Sequence, residues 1–492
     1  MHSGRGETFF AGSRSIEHLA LGDRRIAVAC SASNAFRTTG DMMRSPGYAY
    51  AVSLLCAAGC TAGDASRHEV AVSVDTAADT GSSFDPVKNF ASAQIDDGRR
   101  TFRFDTFGDE AFWGDALQLH LAIAGAANEG VGPGVSPRTA LAVGLKVDVD
   151  ALPRSLRDAL AQGQVNLDDP ATTLALLQLD AVVGLTGVFD AAGSFRSIGI
   201  QCALCHSTVD NSFAPGIGHR LDGWANRDLD VGVIVSLAPD LSAVASLLGV
   251  DQATVRAVIT QWGPGRFDAE LFMDGKALGP DGKPHPTLIP PAFGLGGVNL
   301  HTWTGWGGIS HWNAFVANLE MHGQGNFFDP RLDDAVRFPI AAANHFGHVS
   351  TPPDQDRITP HLAALQLYQL ALAPPRPSTG SFNATAANRG KKLFNGKARC
   401  AGCHVPPLYT EPGWNMHTAA EIGIDSFQSD RSPDQRFRTS PLRGLFTHLK
   451  GGLYHDGRYA TLGDVVAHYN ATFALGLTAA ESSDLVEFLK SL

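Results

Sequence analysis

Beyond residue 60 the chain is almost free of cysteine, and the exceptions come in pairs. Of seven cysteines in 492 residues, Cys30, Cys56 and Cys60 lie near the start. The other four fall in two pentapeptides, Cys202-Ala203-Leu204-Cys205-His206 and Cys400-Ala401-Gly402-Cys403-His404. No cysteine is left over for a disulfide framework, which excludes a small stapled scaffold. Basic runs are missing as well: 38 Lys and Arg face 49 Asp and Glu, a formal net charge of -11. Nothing resembles the cationic stripe that nucleic acid requires, so no nucleic-acid partner is expected. Past the N-terminal region no stretch reaches the roughly 18 consecutive apolar residues of a membrane-spanning helix. What remains, 44% hydrophobic with 53 glycines, is enough for two or three domains with proper cores.

The two pentapeptides carry the chemistry. Two thiols separated by two residues can add across the vinyl groups of one haem, and the histidine that follows is then delivered to the iron. Zinc would want four thiolate or imidazole ligands per site, and a thioredoxin-like pair has no need of histidine after the second cysteine in both copies. The spacing therefore predicts two covalently bound haem c groups held by Cys202, Cys205, Cys400 and Cys403, with His206 and His404 as proximal ligands. A four-cysteine zinc site shared between the two motifs is the remaining alternative.

The N-terminal region predicts export. Met42-Met43-Arg44 leads into the short apolar stretch Tyr48 to Ala58 and then Ala57-Ala58-Gly59-Cys60, which resembles a bacterial lipoprotein signal peptide with Cys60 as the lipidated residue. On that reading residues 1–41 are an overlong, disordered start, 42–60 the signal and 61–90 a flexible tether rich in Ala, Ser, Asp and Thr. A periplasmic location follows, with contact to a membrane only through the lipid anchor.

Two modules are expected beyond the tether, 91–375 and 381–492, joined by the linker Pro374-Pro375-Arg376-Pro377-Ser378-Thr379-Gly380. The second offers a helix around Gly390 and Phe394 just before Cys400. Its closing segment has a capping box, Thr478 with Glu481, ahead of Leu485, Val486, Phe488 and Leu489 at helical spacing. The first repeats the Gly-x-x-x-Phe pattern at Gly98 and Phe102 but reaches its haem motif only at Cys202, which implies a large insertion. The fold class predicted is mainly α: two cytochrome c-like haem domains, the first enlarged.

Phe437-Arg438-Thr439-Ser440-Pro441-Leu442-Arg443-Gly444, Tyr454-His455-Asp456-Gly457 and Thr461 through Asn470 together resemble the tail of the bacterial di-haem cytochrome c peroxidase and MauG superfamily. Trp303-Thr304-Gly305, Asn313 and Glu320-Met321 are similar to that family's inter-haem tryptophan motif, active-site amide and Glu-Met pair. The resemblance implies that electrons enter at the C-terminal haem from a small redox protein or quinol-linked donor. They would pass Trp303 and reduce hydrogen peroxide at the N-terminal haem, where Glu320 moves protons.

Two departures stand out: the family's active-site glutamine is Asn313 here, and the step from the tryptophan to the glutamate is short. The resemblance also implies Tyr469 as the sixth ligand of the second haem, with His468, Met416 and His417 as neighbours that could replace it. At the first haem the sixth position is open or is closed by His120 or Met321. Arg220, Trp224, Asn226 and Arg227 are candidates for binding propionates of the first haem. Calcium, which the family often holds near the segment matched by Thr439 to Pro441, is left open because Pro290-Pro291-Ala292-Phe293 stands where a companion asparagine would be. An electron-transfer cytochrome without peroxidase activity, and a MauG-like or rubber-oxygenase-like oxidant, are the alternative functions.

Overall fold

The computed structural model describes residues 85–492, so the expected signal segment 42–60, the stretch 1–41 and the tether up to residue 84 lie outside the described residues. Residues 86–90, expected as the end of a flexible tether, are helical instead. Helix α1 (Pro86–Phe104) already begins at Pro86, because Asp85 accepts hydrogen bonds from the backbone N–H groups of Val87 and Lys88 and proline fills the first helical position.

Helices dominate, and the strands among the described residues pair only two by two. Helix α1 crosses α2 (Leu362–Ala371), and α3 (Ala384–Asn395) crosses α4 (Ala479–Lys490). Both crossings are made by the glycine of the repeated pattern. A Cβ on Gly98 would stand 2.0 Å from the Ala364 carbonyl oxygen, and one on Gly390 would stand 2.0 Å from that of Asp484. One turn later Phe102 packs on Tyr368 and Phe394 on Phe488, both phenylalanines almost fully buried. The obstacle at Gly390 is backbone rather than a movable side chain. Gly390→Ala should therefore force α3 and α4 apart and cost about 1–3 kcal/mol of stability, read as a lower denaturant midpoint of the haem-loaded protein.

The expected capping box is present: Thr478 Oγ1 accepts from the Glu481 N–H while the Glu481 carboxylate accepts from the Thr478 N–H. Leu485, Phe488 and Leu489 close the C-terminal core against Phe394 and Val466. The Pro374 to Gly380 linker carries no helix or strand.

The insertion before Cys202 is ordered structure of its own. Short helices Pro137–Ala142, Arg154–Ala161 and Pro170–Gln178 precede a hairpin of β1 (Leu185–Phe189) and β2 (Phe195–Ile200). Strand β2 runs straight into the first haem motif, and the Gln201 N–H donates back to the Gly184 carbonyl, so the hairpin aims Cys202. Asp109 steadies the same point. Its buried carboxyl accepts from the Ile200 N–H, and burial pushes it up to about 9.

Two candidate haem cavities with a common wall

Each pentapeptide opens onto its own cavity. Cys202, Cys205 and His206 line one of about 330 Å³, and Cys400, Cys403 and His404 line another of about 420 Å³. The two cysteine pairs thus face different spaces, which removes the shared four-cysteine zinc site. All four are free of disulfides.

The two histidines are prepared in the same way by unrelated backbone. His206 Nδ1 lies 3.1 Å from the carbonyl oxygen of Pro290, distant in sequence, and His404 Nδ1 lies 3.1 Å from that of Tyr409, five residues on. A carbonyl only accepts, so Nδ1 carries the proton in both rings. Each Nε2 keeps its lone pair for a metal. Burial, the main cause, pushes both imidazoles down to about 4 and keeps them neutral, as a ligand must be.

Five residues, Pro290, Pro291, Thr302, Trp303 and Arg438, line both cavities. Trp303 is fixed in this common wall: its indole N–H donates to the Leu288 carbonyl at 2.7 Å, and its own carbonyl accepts from the Arg438 backbone N–H at 3.1 Å. The Arg438 guanidinium donates only to the carbonyls of Leu300 and Thr302 and has no carboxylate partner among the described residues. Burial pushes it down to about 10. Beside it both ring nitrogens of buried His301 and the hydroxyl of Thr302 lack partners, and Arg227 Nε in the second cavity lacks one too. Cations and donors buried without counter-charge are costly. A haem in each cavity would bring the carboxylates these groups lack, so the residues present fit the group.

Glu320 ends the π-helical turn Val316–Glu320 that follows helix Ile309–Phe315 and lines the first cavity. Both of its carboxyl oxygens are buried without a partner. Burial above all, with Glu270 and Asp268 adding, pushes it well above the ordinary carboxylate range. Asn313 lines the same cavity, its amide N–H held by Gln369 Oε1 at 2.7 Å. Met321 is there as well, with its carbonyl accepting from the Trp113 indole at 2.9 Å. The structure therefore brings Trp303, Asn313 and Glu320 into one space with Cys202, Cys205 and His206.

Other expected site residues land elsewhere. His120 is not in either cavity wall. On helix Leu119–Ala124 it is Leu119 and Ile123, four residues apart on one face, that line the first cavity, while His120 points off that face toward the edge of Phe195. Of the propionate candidates, Arg220 is taken by Asp148 at 2.6 Å, Asn226 by the Gly144 carbonyl, and Trp224 packs against Phe446. Arg227 does line a cavity, but the second one. The expectation that it serves the first haem came from closeness in sequence, but the paired strands Ser207–Val209 and Arg220–Asp222 intervene and Arg227 reaches the second cavity.

Tyr469 lines the second cavity, its ring stacked on Phe473. So does His417, which Glu411 holds at 2.7 Å, whereas His468 is turned to the Ile422 carbonyl and Met416 is not in the wall. Thr439 to Pro441, the segment considered for calcium, lines it too.

Four side chains were missed from the sequence. Tyr454, with a buried hydroxyl lacking a partner, lies with its ring centroid 6.1 Å from that of Tyr469. His322 stacks on Phe112 at 3.6 Å in the first cavity, where Glu270 also faces. Arg438 and Tyr454 sat within runs that carried the resemblance. No local pattern marks the other two.

No family model matches the chain. Over 309 residues it is 26% identical to the cytochrome-c peroxidase IdrP1 of Denitromonas iodatirespirans, covering 45% of this chain and 79% of that protein. Over 240 residues it is 27% identical to the methylamine utilization protein MauG of Methylorubrum extorquens, covering 44% of this chain and 67% of that one. Among solved structures it matches a MauG-like protein associated with microbial copper homeostasis, at 19% identity and a TM-score of 0.28 over 44% of this chain and 77% of that one. It also matches the diheme peroxidase BthA from Burkholderia thailandensis, at 18% identity and 0.27 over 60% and 81%.

Proposed function

We infer that this chain, a distant homologue of di-haem cytochrome c peroxidase and MauG over about 45% of its length, is a di-haem oxidoreductase that reduces hydrogen peroxide in its first cavity. The observation that carries the reading is Glu320, a carboxyl without partners facing the same space as His206. Cys202 and Cys205, and Cys400 and Cys403, would hold two haems with His206 and His404 as ligands, and the haem iron would supply the redox chemistry. Everything else is done by the chain.

Glu320, neutral in its apolar setting, holds a proton ready for the departing oxygen of peroxide. Asn313 is fixed by Gln369 through its N–H, which leaves its carbonyl oxygen to orient a peroxide proton. The surrounding Leu, Ile, Val and Trp side chains keep bulk water out. Trp303, with an edge in both cavities, offers electrons a path between them. The exposure of Cys403 supports delivery of electrons at the second cavity by a small redox protein or quinol-linked donor.

The matching crossings at Gly98 and Gly390 support reading 91–375 and 381–492 as two cytochrome c-like modules. Haem attachment belongs outside the cytoplasmic membrane, in keeping with a periplasmic protein anchored through Cys60. Tyr469 in the second cavity favours one further reading, a MauG-like oxidant of an organic substrate.

Mass spectrometry of protein matured in a bacterium with haem-attachment machinery should find two added haems. Peroxide should then reoxidise the chemically reduced protein. Fewer than two haems defeats the cofactor assignment, and two haems that peroxide leaves reduced defeats the peroxidase reading.

A further inference from the structure

The first cavity holds a second carboxyl that no motif announces. Glu270 immediately precedes the short helix Leu271–Asp274, between Asp268 and Asp274 in sequence. Those two aspartates are clamped by one guanidinium reaching over from the C-terminal half. Arg431 Nε and Nη2 donate to Asp274 at 2.8 and 3.1 Å, and Nη1 donates to Asp268 at 3.1 Å. All three side chains are almost completely buried. The clamp fixes the chain on both sides of Glu270, which lines the first cavity together with Glu320.

Arg431 and Asp274 are the charged groups that act on Glu270, Gln428 hydrogen-bonds its carboxyl, and Glu270 in turn acts on Glu320. Burial raises Glu270, Arg431 and the hydrogen bond with Gln428 oppose that rise and Asp274 reinforces it, with a net displacement upward from the ordinary carboxylate range. Such a setting favours the protonated form of the carboxyl over its charge.

We propose that Glu270 is the second proton donor of the first cavity, acting beside Glu320. The inference rests on the peroxidase reading. Reduction of one hydrogen peroxide to two waters breaks the O–O bond and consumes two electrons, from the external redox donor, and two protons. Glu320 delivers one proton to the departing oxygen and Glu270 delivers the other to the oxygen left behind. Both carboxylates then recover protons from solvent. Two waters leave, and no charge is left stranded in an apolar cavity.

The test uses the haem-loaded protein and the isosteric variant Glu270→Gln. The infrared carbonyl stretch of buried carboxylic acids at neutral pH should lose one component in E270Q. Peroxide turnover should fall at least about tenfold with KM little changed. Glu270→Asp, which keeps the proton, should recover part of the rate. An E270Q protein with full turnover, or a wild-type spectrum in which E270Q removes no carboxylic-acid component, overturns this inference alone. A wild-type protein that peroxide does not oxidise overturns the peroxidase reading and the role together.

Discussion

Glu320→Gln should lower peroxide turnover by about 10²–10⁴-fold, the range a positioned general acid supplies, while both haems stay attached. Glutamine keeps the shape of the side chain and removes only the proton. Because neither oxygen of Glu320 has a partner in the folded protein, the substitution breaks no hydrogen bond among the described residues.

The pH dependence separates a chemical role from a structural one. The folded carboxyl titrates well above the ordinary carboxylate range, chiefly through burial. Wild-type turnover should therefore decline as pH passes that raised value, a limb missing from E320Q. Stability carries the opposite signature. An acid raised on folding costs stability progressively as pH rises from its unfolded value to its folded one, so E320Q should gain on wild type across that window. Stopped-flow oxidation by peroxide and urea unfolding, each across pH, measure the two. Unchanged turnover in E320Q would mean that another group provides the proton.

Arg431→Met should destabilise the haem-loaded protein by about 3–5 kcal/mol, the cost of leaving buried charges uncompensated. Two aspartates lose their counter-ion at once, and both are buried. Asp268 already lies above the ordinary carboxylate range, raised by burial against the opposing pull of Arg431. Removing the guanidinium raises it further. The stability lost with rising pH then extends to higher pH in the variant, so the gap from wild type should be smallest in acid and should widen through neutrality. Urea midpoints at several pH values read this directly, and a gap independent of pH would contradict the assignment. Asp268→Asn combined with Asp274→Asn should restore part of the stability, since the introduced methionine would then face neutral groups. Loss of the clamp should also disturb the spectrum of the first haem, because the loop it fixes is cavity wall.

Much of the scaffold was legible because its signals are local. The Gly-x-x-x-Phe pattern looked slight on paper, yet each glycine marks a place where a second helix lies against backbone, and a missing Cβ is visible in sequence. The Thr478 capping box is equally short-range. His120 misled because an amphipathic stretch does not say which face meets the cavity, and the apolar pair Leu119 and Ile123 does. Arg227 misled because the paired strands between it and Cys205 deliver it to the other cavity. Glu270 and Arg431 gave no warning at all: each is an isolated charged residue, and only their burial together makes them matter.

Sequence alone settled what lies within one turn of chain, above all two thiols and an imidazole spaced for one haem at Cys202 to His206 and again at Cys400 to His404. Bond lengths and backbone reach leave such a pentapeptide little freedom. Tertiary structure decided which distant groups share a space: Trp303 with Arg438 in the common wall, Glu270 with Glu320 beside His206, Arg431 with its two aspartates. The reason is dielectric as much as geometric. A charge acquires a large effect only once water is excluded around it, and that exclusion belongs to the folded core, not to any segment.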